Sequence, residues 1–278
     1  MYCAWEQLLG ILPPAIRQEV DNRGRSCLQE LRLRLGSGVE MVCSTGRFVL
    51  RGQVTTEMLS FVINAASRYS PWAAETMSQG YLTAPGGHRI GLAGTCILHD
   101  GKVTGIRSVH SLCVRVARDF PGISMGIPAT QESVLILGPP GSGKTTLMRD
   151  LIRRCSEEGQ TVAVVDERGE LFPPEADFQR GCKTDVLCFA PKAEGMEMAL
   201  RTMSPQRIAV DEITSVADCE GILRAMWCGV GIMATAHAGS VQDLLSRTVY
   251  KPLVQTGAFR NVVLLKPDKS WRLERVGL

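Results

Sequence analysis

The stretch that decides the fold is Gly138-Pro139-Pro140-Gly141-Ser142-Gly143-Lys144-Thr145, followed by Thr146. It fits the pattern G-x-x-x-x-G-K-[ST] and stands between the apolar run SVLILG and the helical pattern TTLMRDLIRRC. In such a loop, glycines let backbone N–H groups surround phosphate oxygens, and Lys144 reaches the β- and γ-phosphates. The sequence therefore predicts a nucleotide site at residues 138–146, with the Thr145 hydroxyl on Mg²⁺.

Beyond this loop, apolar runs alternate with helical patterns. The runs are TVAVVD, DVLCFA, RIAVDE and GIMATAH, and NVVLLK and WRLERV then predict a hairpin across Pro267–Ser270. Apolar strands separated by helices form a mostly parallel sheet between helices. Residues 129–278 are therefore predicted to form an α/β domain.

The first 120 residues have a different pattern. Two short helices flank Pro13 and Pro14, and LQELRLRL predicts a strand. A helix is predicted from Thr55 to about Tyr69, then a helical turn after Pro71 and Gly-rich strands with VTGIR and SLCVRVAR. We expect a smaller α+β domain over 1–120, and a linker at 121–128, where PGISMGIP holds two Pro and two Gly.

Composition narrows the class of protein. The net charge of +3, from 31 basic and 28 acidic residues in 278, argues against a dedicated duplex-DNA binder. Arginine supplies 12 of the 13 basic residues up to Gln131. These arginines either contact phosphate or an acidic partner, or they are solvated surface charge. Ten cysteines without C-x-x-C predict reduced thiols, and no signal or transmembrane segment is visible, so we expect a cytoplasmic chain.

Carboxylates end two of the predicted strands. Asp211 is predicted to hold Mg²⁺ through water, and Glu212 to orient and polarise an attacking water. In VVDERGE, Glu167 at the same sheet edge is the second candidate for this base, or an ion-pair partner of Arg168. His237 follows the fifth strand and is either a γ-phosphate contact or a structural histidine.

Four segments, in chain order, resemble the motifs of the secretion-ATPase superfamily, the motors of type II and type IV secretion and of pili. The loop GPPGSGKT resembles the Walker A motif, VVDERGE the Asp box, RIAVDE the Walker B motif and GIMATAH the His box. The resemblance implies ATP hydrolysis with Mg²⁺, a RecA-like P-loop NTPase domain at the C-terminal end and a homo-oligomer, as a hexameric ring. It also implies that arginines of the first domain reach the nucleotide across a domain or subunit boundary. Arg89 and Arg115 stand where these are expected, with Arg107 and Arg118 as alternatives.

Within that superfamily the whole chain is most similar to a family of stage III sporulation proteins of endospore-forming bacteria, through WEQLLGILPPAIR, QELRLRLG, GGHRIGLAG and MSPQRIAVDEI. This similarity implies a motor peripherally associated with the inner face of the membrane, with membrane-embedded sporulation channel proteins as partners, energising a channel from mother cell to forespore. Cys113 and Thr214-Ser215 depart from the pattern expected of that family.

Two other functions stay open at this point. One is a nucleic-acid-associated P-loop ATPase whose Arg-rich first domain grips phosphates; 5% aromatic content and the lack of a nucleic-acid motif disfavour it. The other is a small-molecule kinase, which needs an acceptor pocket and a lid that the sequence does not clearly offer.

Overall fold

The computed structural model describes residues 3–67, 77, 80–174 and 176–275. The chain divides into two units, Met1–Arg118 with Glu175–Asp177, and Asp119–Pro174 with Phe178–Leu278. Residues 121–128, the predicted linker, lie within the second unit. Asp150 of that unit accepts hydrogen bonds from the N–H groups of Gly122 (2.9 Å) and Ser124 (2.7 Å), so this segment is held by a buried side chain.

The first unit is α+β, as predicted. Its sheet is antiparallel in the order β3-β2-β1-β6-β5-β4. Leu31 and Leu33 of β1 are fully buried, while Arg34 on the same strand is exposed, as the two-residue period of LQELRLR requires. The described elements are α1 (Trp5–Ile11), α2 (Pro14–Gly24), β1 (Leu28–Arg34), β2 (Glu40–Cys43), β3 (Gly46–Val49), α3 (Thr56–Ser67), β4 (Tyr81–Ala84), β5 (His88–His99) and β6 (Lys102–Arg115).

Two details of this unit differ from the sequence prediction or fall outside it. VTGIR and SLCVRVAR, predicted as separate strands, form the single strand β6, which passes Ser108 with a φ of 49°. The helical turn predicted after Pro71 lies outside the described residues.

The second unit is an α/β domain, and its sheet has the order β13-β12-β7-β11-β10-β8-β9. Every pair is parallel except the hairpin β12–β13, which confirms the predicted fold class. The elements are β7 (Val134–Leu137), α4 (Lys144–Glu157), β8 (Val162–Asp166), β9 (Thr184–Cys188), α5 (Lys192–Thr202), β10 (Arg207–Val210), α6 (Val216–Trp227), β11 (Gly231–Ala236), α7 (Val241–Ser246), α8 (Lys251–Gln255), β12 (Asn261–Leu265) and β13 (Trp271–Arg275).

Helices cover both faces of this sheet. Ile232 belongs to the core cluster that includes residues of α5 and α6, whereas Met233, one residue on, contacts Cys155 of α4. All residues of β7, β8, β10 and β11 are buried. The sheet order places β11 between β7 and β10, so the carboxyl ends of these three strands meet at one edge, where open α/β sheets bind ligands.

None of the helices in the described ranges is long and apolar enough to cross a membrane.

Candidate functional site

The loop between β7 and α4 has the shape of an anion cradle. Gly141 (φ 75°) and Gly143 (φ 99°) adopt the left-handed region that favours glycine, and a Cβ on either would meet nothing within 4 Å. Among the described residues no side chain caps α4 at Gly143, so the N–H groups of its first turn face the loop. The Ser142 hydroxyl is buried without a hydrogen-bond partner in the described structure. An open loop, free N–H groups and an orphaned hydroxyl fit a phosphate.

Lys144 sits at the floor of this loop. Its Nζ donates to the carbonyl oxygens of Gly138 (2.9 Å) and Pro139 (3.1 Å) and lies 3.0 Å from Nδ1 of His237. Burial lowers the pKa of Lys144, and the carboxylates of Glu212 and Asp211 oppose that shift. The three N–H donors of the ammonium are therefore matched by three acceptors at the edge of the sheet.

His237 connects Lys144 to Glu212. The Nε2 atom of its ring lies 3.0 Å from Oε1 of Glu212, while Nδ1 faces Lys144. Because an ammonium can only donate, Nδ1 is the acceptor, and the ring proton lies on Nε2, the atom that faces the Glu212 carboxylate. Lys144, His237 and Glu212 thus form a continuous row of polar contacts from the 138–146 loop to the end of β10.

Asp211, at the end of β10, is also oriented. Its Oδ1 accepts a hydrogen bond from the Thr235 hydroxyl at 3.0 Å, and Asp211 and Thr145 are each half-buried. Hydroxyl and carboxylate oxygens suit Mg²⁺, which keeps several waters and substrate phosphates among its ligands. The described residues contain no group of three or more His, Cys, Asp or Glu arranged for a metal ion.

The two carboxylates at the end of β8, Asp166 and Glu167, have different surroundings. Asp166 is fully buried and accepts hydrogen bonds from the N–H groups of Glu170 and Phe172, both at 2.8 Å. Burial raises the pKa of Asp166, and these N–H donors oppose the rise. Glu167 instead forms an ion pair with Lys192, the first residue of α5. Arg168, the partner considered from the sequence, is exposed.

The two predicted phosphate arginines lie in the first unit, side by side. Arg89 of β5 and Arg115 of β6 are directly opposite each other in the strand register, and the Arg89 guanidinium lies 4.3 Å from the centroid of the Tyr81 ring. Arg115 is also in register with Glu30 of the neighbouring strand β1. Arg118, an alternative candidate, donates instead to the carbonyls of Leu28, Gly24 and Arg25 at the end of α2. The other alternative, Arg107, lies opposite Thr95 and is exposed.

Three more arginines on this sheet are paired with carboxylates. Arg32 pairs with Glu30 at 2.9 Å, and Glu40 accepts from both Arg34 (2.8 Å) and Arg47 (3.0 Å). The two carboxylates, Glu30 and Glu40, offset part of the positive charge that the sequence places in the first unit.

Sequence reasoning missed three residues of the second unit's sheet edge, namely Thr235, Lys192 and Arg149. Thr235 stands two residues before His237, and Arg149 is one helical turn beyond Thr145, so spacing offered a weak signal for both. No local pattern pointed to Lys192.

Solved structures share this fold. The X-ray structure of the Legionella pneumophila ATPase DotB matches with a TM-score of 0.63 and 18% identity, covering 94% of this chain and 79% of that one. The pilus retraction motor PilT, solved with bound ADP, matches with a TM-score of 0.65 and 16% identity, covering 100% of this chain and 84% of that one. The protein therefore shares the RecA-like fold of these two solved structures.

The sequence comparisons are more specific. Residues 4–273 match the family described as sporulation stage III, protein AA. Stage III sporulation protein AA of Bacillus subtilis (strain 168) is 34% identical over 283 aligned residues, which span 95% of this chain and 92% of the relative. The chain belongs to the sporulation stage III, protein AA family.

Proposed function

We propose that this protein is a Mg²⁺-dependent ATPase that acts as a motor. The observation that carries the proposal is the row of polar contacts Lys144–His237–Glu212, at 3.0 Å for each step, beside an open glycine loop. It joins the cation of a phosphate loop to a carboxylate at the neighbouring strand edge. Structural likeness to secretion ATPases and membership of a sporulation family support the same class of function.

Each residue has a defined task in this mechanism. Backbone N–H groups of residues 138–146 bind phosphate oxygens, and Lys144 exchanges its carbonyl acceptors for the β- and γ-phosphates. Glu212, as a carboxylate, accepts a proton from the attacking water and orients it. His237 keeps its proton on Nε2 and holds Glu212 in place. Thr145 and, through water, Asp211 would hold Mg²⁺, which neutralises phosphate charge.

We propose that the arginine pair acts on the nucleotide of a second copy of the chain. Arg89 and Arg115 stand directly opposite each other in the strand register, and arginines of this kind can stabilise the charge that develops in phosphoryl transfer. In a ring, the pair of one copy supplies positive charge to the nucleotide of its neighbour, so we propose a homo-oligomer, a hexamer by analogy with the superfamily. As a sporulation protein it would work at the inner face of a membrane, driving a channel toward the forespore.

The test compares Glu212→Gln with Glu167→Gln. Glutamine keeps the size of the side chain but cannot take a proton, so Glu212→Gln should abolish phosphate release while nucleotide binding persists. Glu167→Gln should retain turnover, because Glu167 is engaged with Lys192. Malachite-green phosphate release and binding of a fluorescent ATP analogue measure the two properties.

The reverse pattern, with Glu212→Gln active and Glu167→Gln inactive, would exchange the two roles. A wild-type protein that neither binds nor hydrolyses ATP would end the proposal. Light scattering with ATP and Mg²⁺ tests the ring, and a strictly monomeric particle at high concentration argues against it.

A further inference from the structure

A buried arginine lies one turn into the phosphate-loop helix. Arg149 of α4 is 5% exposed, and its Nε donates to the carbonyl of Leu171 at 2.5 Å. Its Nη2 donates to the carbonyl of Glu170 at 3.0 Å, and the guanidinium lies 4.2 Å from the centroid of the Phe178 ring. Since residues four apart share a helix face, Arg149 lies on the face of α4 that also carries Thr145.

The segment held by Arg149 is the loop 166–172, which follows β8. Asp166 binds the N–H groups of Glu170 and Phe172, and Arg149 binds the carbonyls of Glu170 and Leu171. A buried carboxylate and a buried guanidinium therefore hold the same turn, the carboxylate through N–H groups and the guanidinium through carbonyls. Glu167 lies within this loop, so its backbone is fixed between β8 and α4.

Arg149 also compensates charge beneath the sheet edge. Asp166 and Asp211 follow the paired residues Val165 and Val210 of neighbouring strands, and Asp211 adds to the rise that burial causes in the pKa of Asp166. Burial lowers the pKa of Arg149 to about 10, and the carboxylates of Asp119, Asp166 and Asp211 oppose that shift. The Nη1 atom of Arg149 lies 3.7 Å from Oδ1 of the buried Asp119, so a carboxylate also holds this guanidinium in place.

We propose that Arg149 is a positioning residue for the hydrolysis proposed above: it fixes the 166–172 loop, which closes on the strand-end carboxylate of Asp166, relative to the phosphate-loop helix. The catalytic part of this inference rests on the proposed function, whereas the order of the loop can be measured without it. Removing the guanidinium leaves the carbonyls of Glu170 and Leu171 without this donor but spares Lys144 and the N–H groups that bind phosphate. Turnover should therefore fall while nucleotide affinity stays.

The experiment compares Arg149→Gln and Arg149→Lys with Arg207→Gln in the full chain. Arg207 is a matched control because it is also buried, at 0% exposure, and donates to the carbonyls of Thr130 and Glu132. It begins β10, however, at the edge of the sheet opposite the site. The measurements are kcat, the dissociation constant of a fluorescent ATP analogue, the melting temperature, and amide exchange at Glu170 and Phe172.

For Arg149→Gln we expect kcat to fall roughly 100-fold, the cost of about 1 Å of misplacement at a reacting group. The dissociation constant should change less than about threefold, because the phosphate contacts remain, and exchange at both amides should accelerate. Arg149→Lys keeps the charge but loses the two-donor fork, so it should show a smaller fall in kcat. Arg207→Gln should lower the melting temperature without changing kcat or loop exchange.

Wild-type kcat in folded Arg149→Gln would overturn the inference, as would equal acceleration of loop exchange in Arg207→Gln. If Arg149→Gln does not fold, Arg149→Lys provides the test. In that variant kcat should fall while the dissociation constant of the ATP analogue changes little. A wild-type chain without ATPase activity would end the proposed function, and the exchange at Glu170 and Phe172 would then decide separately whether Arg149 orders the loop.

Discussion

Replacing Gly138 with alanine tests whether the phosphate loop depends on close packing. A Cβ at this position would lie 2.6 Å from Oγ of Ser142 and 3.0 Å from both Cβ and the carbonyl oxygen of Leu265. Leu265 ends the buried strand β12, so it cannot retreat without moving the sheet. The loop must move instead, and overpacking of this kind costs about 1–3 kcal/mol.

The consequences for stability and binding follow from that displacement. In a domain of roughly 150–250 residues, 1 kcal/mol corresponds to about 2–4 °C, so the melting temperature should fall by about 2–12 °C. The Gly138 carbonyl also accepts from Lys144 Nζ at 2.9 Å, so a shifted loop misplaces the ammonium. A loss of about 1.4 kcal/mol in binding is a tenfold weaker affinity for an ATP analogue.

The assay is thermal unfolding with and without an ATP analogue and Mg²⁺, with Gly10→Ala as the control. Gly10 lies in α1, and a Cβ there meets nothing within 4 Å, so alanine should stabilise that helix by up to about 1 kcal/mol. If Gly138→Ala unfolds at the wild-type temperature and binds the analogue with wild-type affinity, the steric reasoning is refuted.

Two further predictions concern stability. Burial lowers the pKa of His88, whose Nδ1 accepts a hydrogen bond from Ala117 N–H and whose Nε2 faces the carbonyl of Ala4. The unfolded chain therefore takes up a proton on this residue more readily than the folded chain. The free energy of unfolding should fall as the pH drops below about 6.5. Urea unfolding at about pH 7.5 and 5.5 should show a smaller loss in His88→Gln, and an equal loss would contradict this. Ser215→Ala removes the helix cap of α6, in which the Ser215 hydroxyl accepts a hydrogen bond from Asp218 N–H at 3.1 Å. The loss should cost about 1 kcal/mol of unfolding free energy, measured as a lower urea midpoint. An unchanged midpoint would refute the capping role.

Much of the fold was predictable because local patterns specify it. In the second unit each apolar run forms a strand, since such a run is stable only when helices cover it. The conformation of the loop after β7 was equally predictable, because Gly141 and Gly143 supply its left-handed turns within one contiguous motif. The sequence did not predict that VTGIR and SLCVRVAR form one strand, because Ser108 between them adopts a positive φ that no local pattern predicts.

Partners distant in the sequence were not predictable. For Glu167 the adjacent Arg168 was the natural candidate, but Lys192, 25 residues on, forms the ion pair. Arg118 was a candidate phosphate ligand, yet its guanidinium is engaged by backbone carbonyls near the end of α2. In both cases the side chain meets groups that only the folded chain brings close.

The sequence by itself determined which chemical groups end each strand: Lys144 after β7, Asp211 and Glu212 after β10, and His237 after β11. The tertiary structure decided which of them meet. Because β11 pairs between β7 and β10, one imidazole faces Lys144 with Nδ1 and Glu212 with Nε2. Strand order depends on burial and pairing across the whole domain. The residues of a single strand do not specify which strands lie beside it.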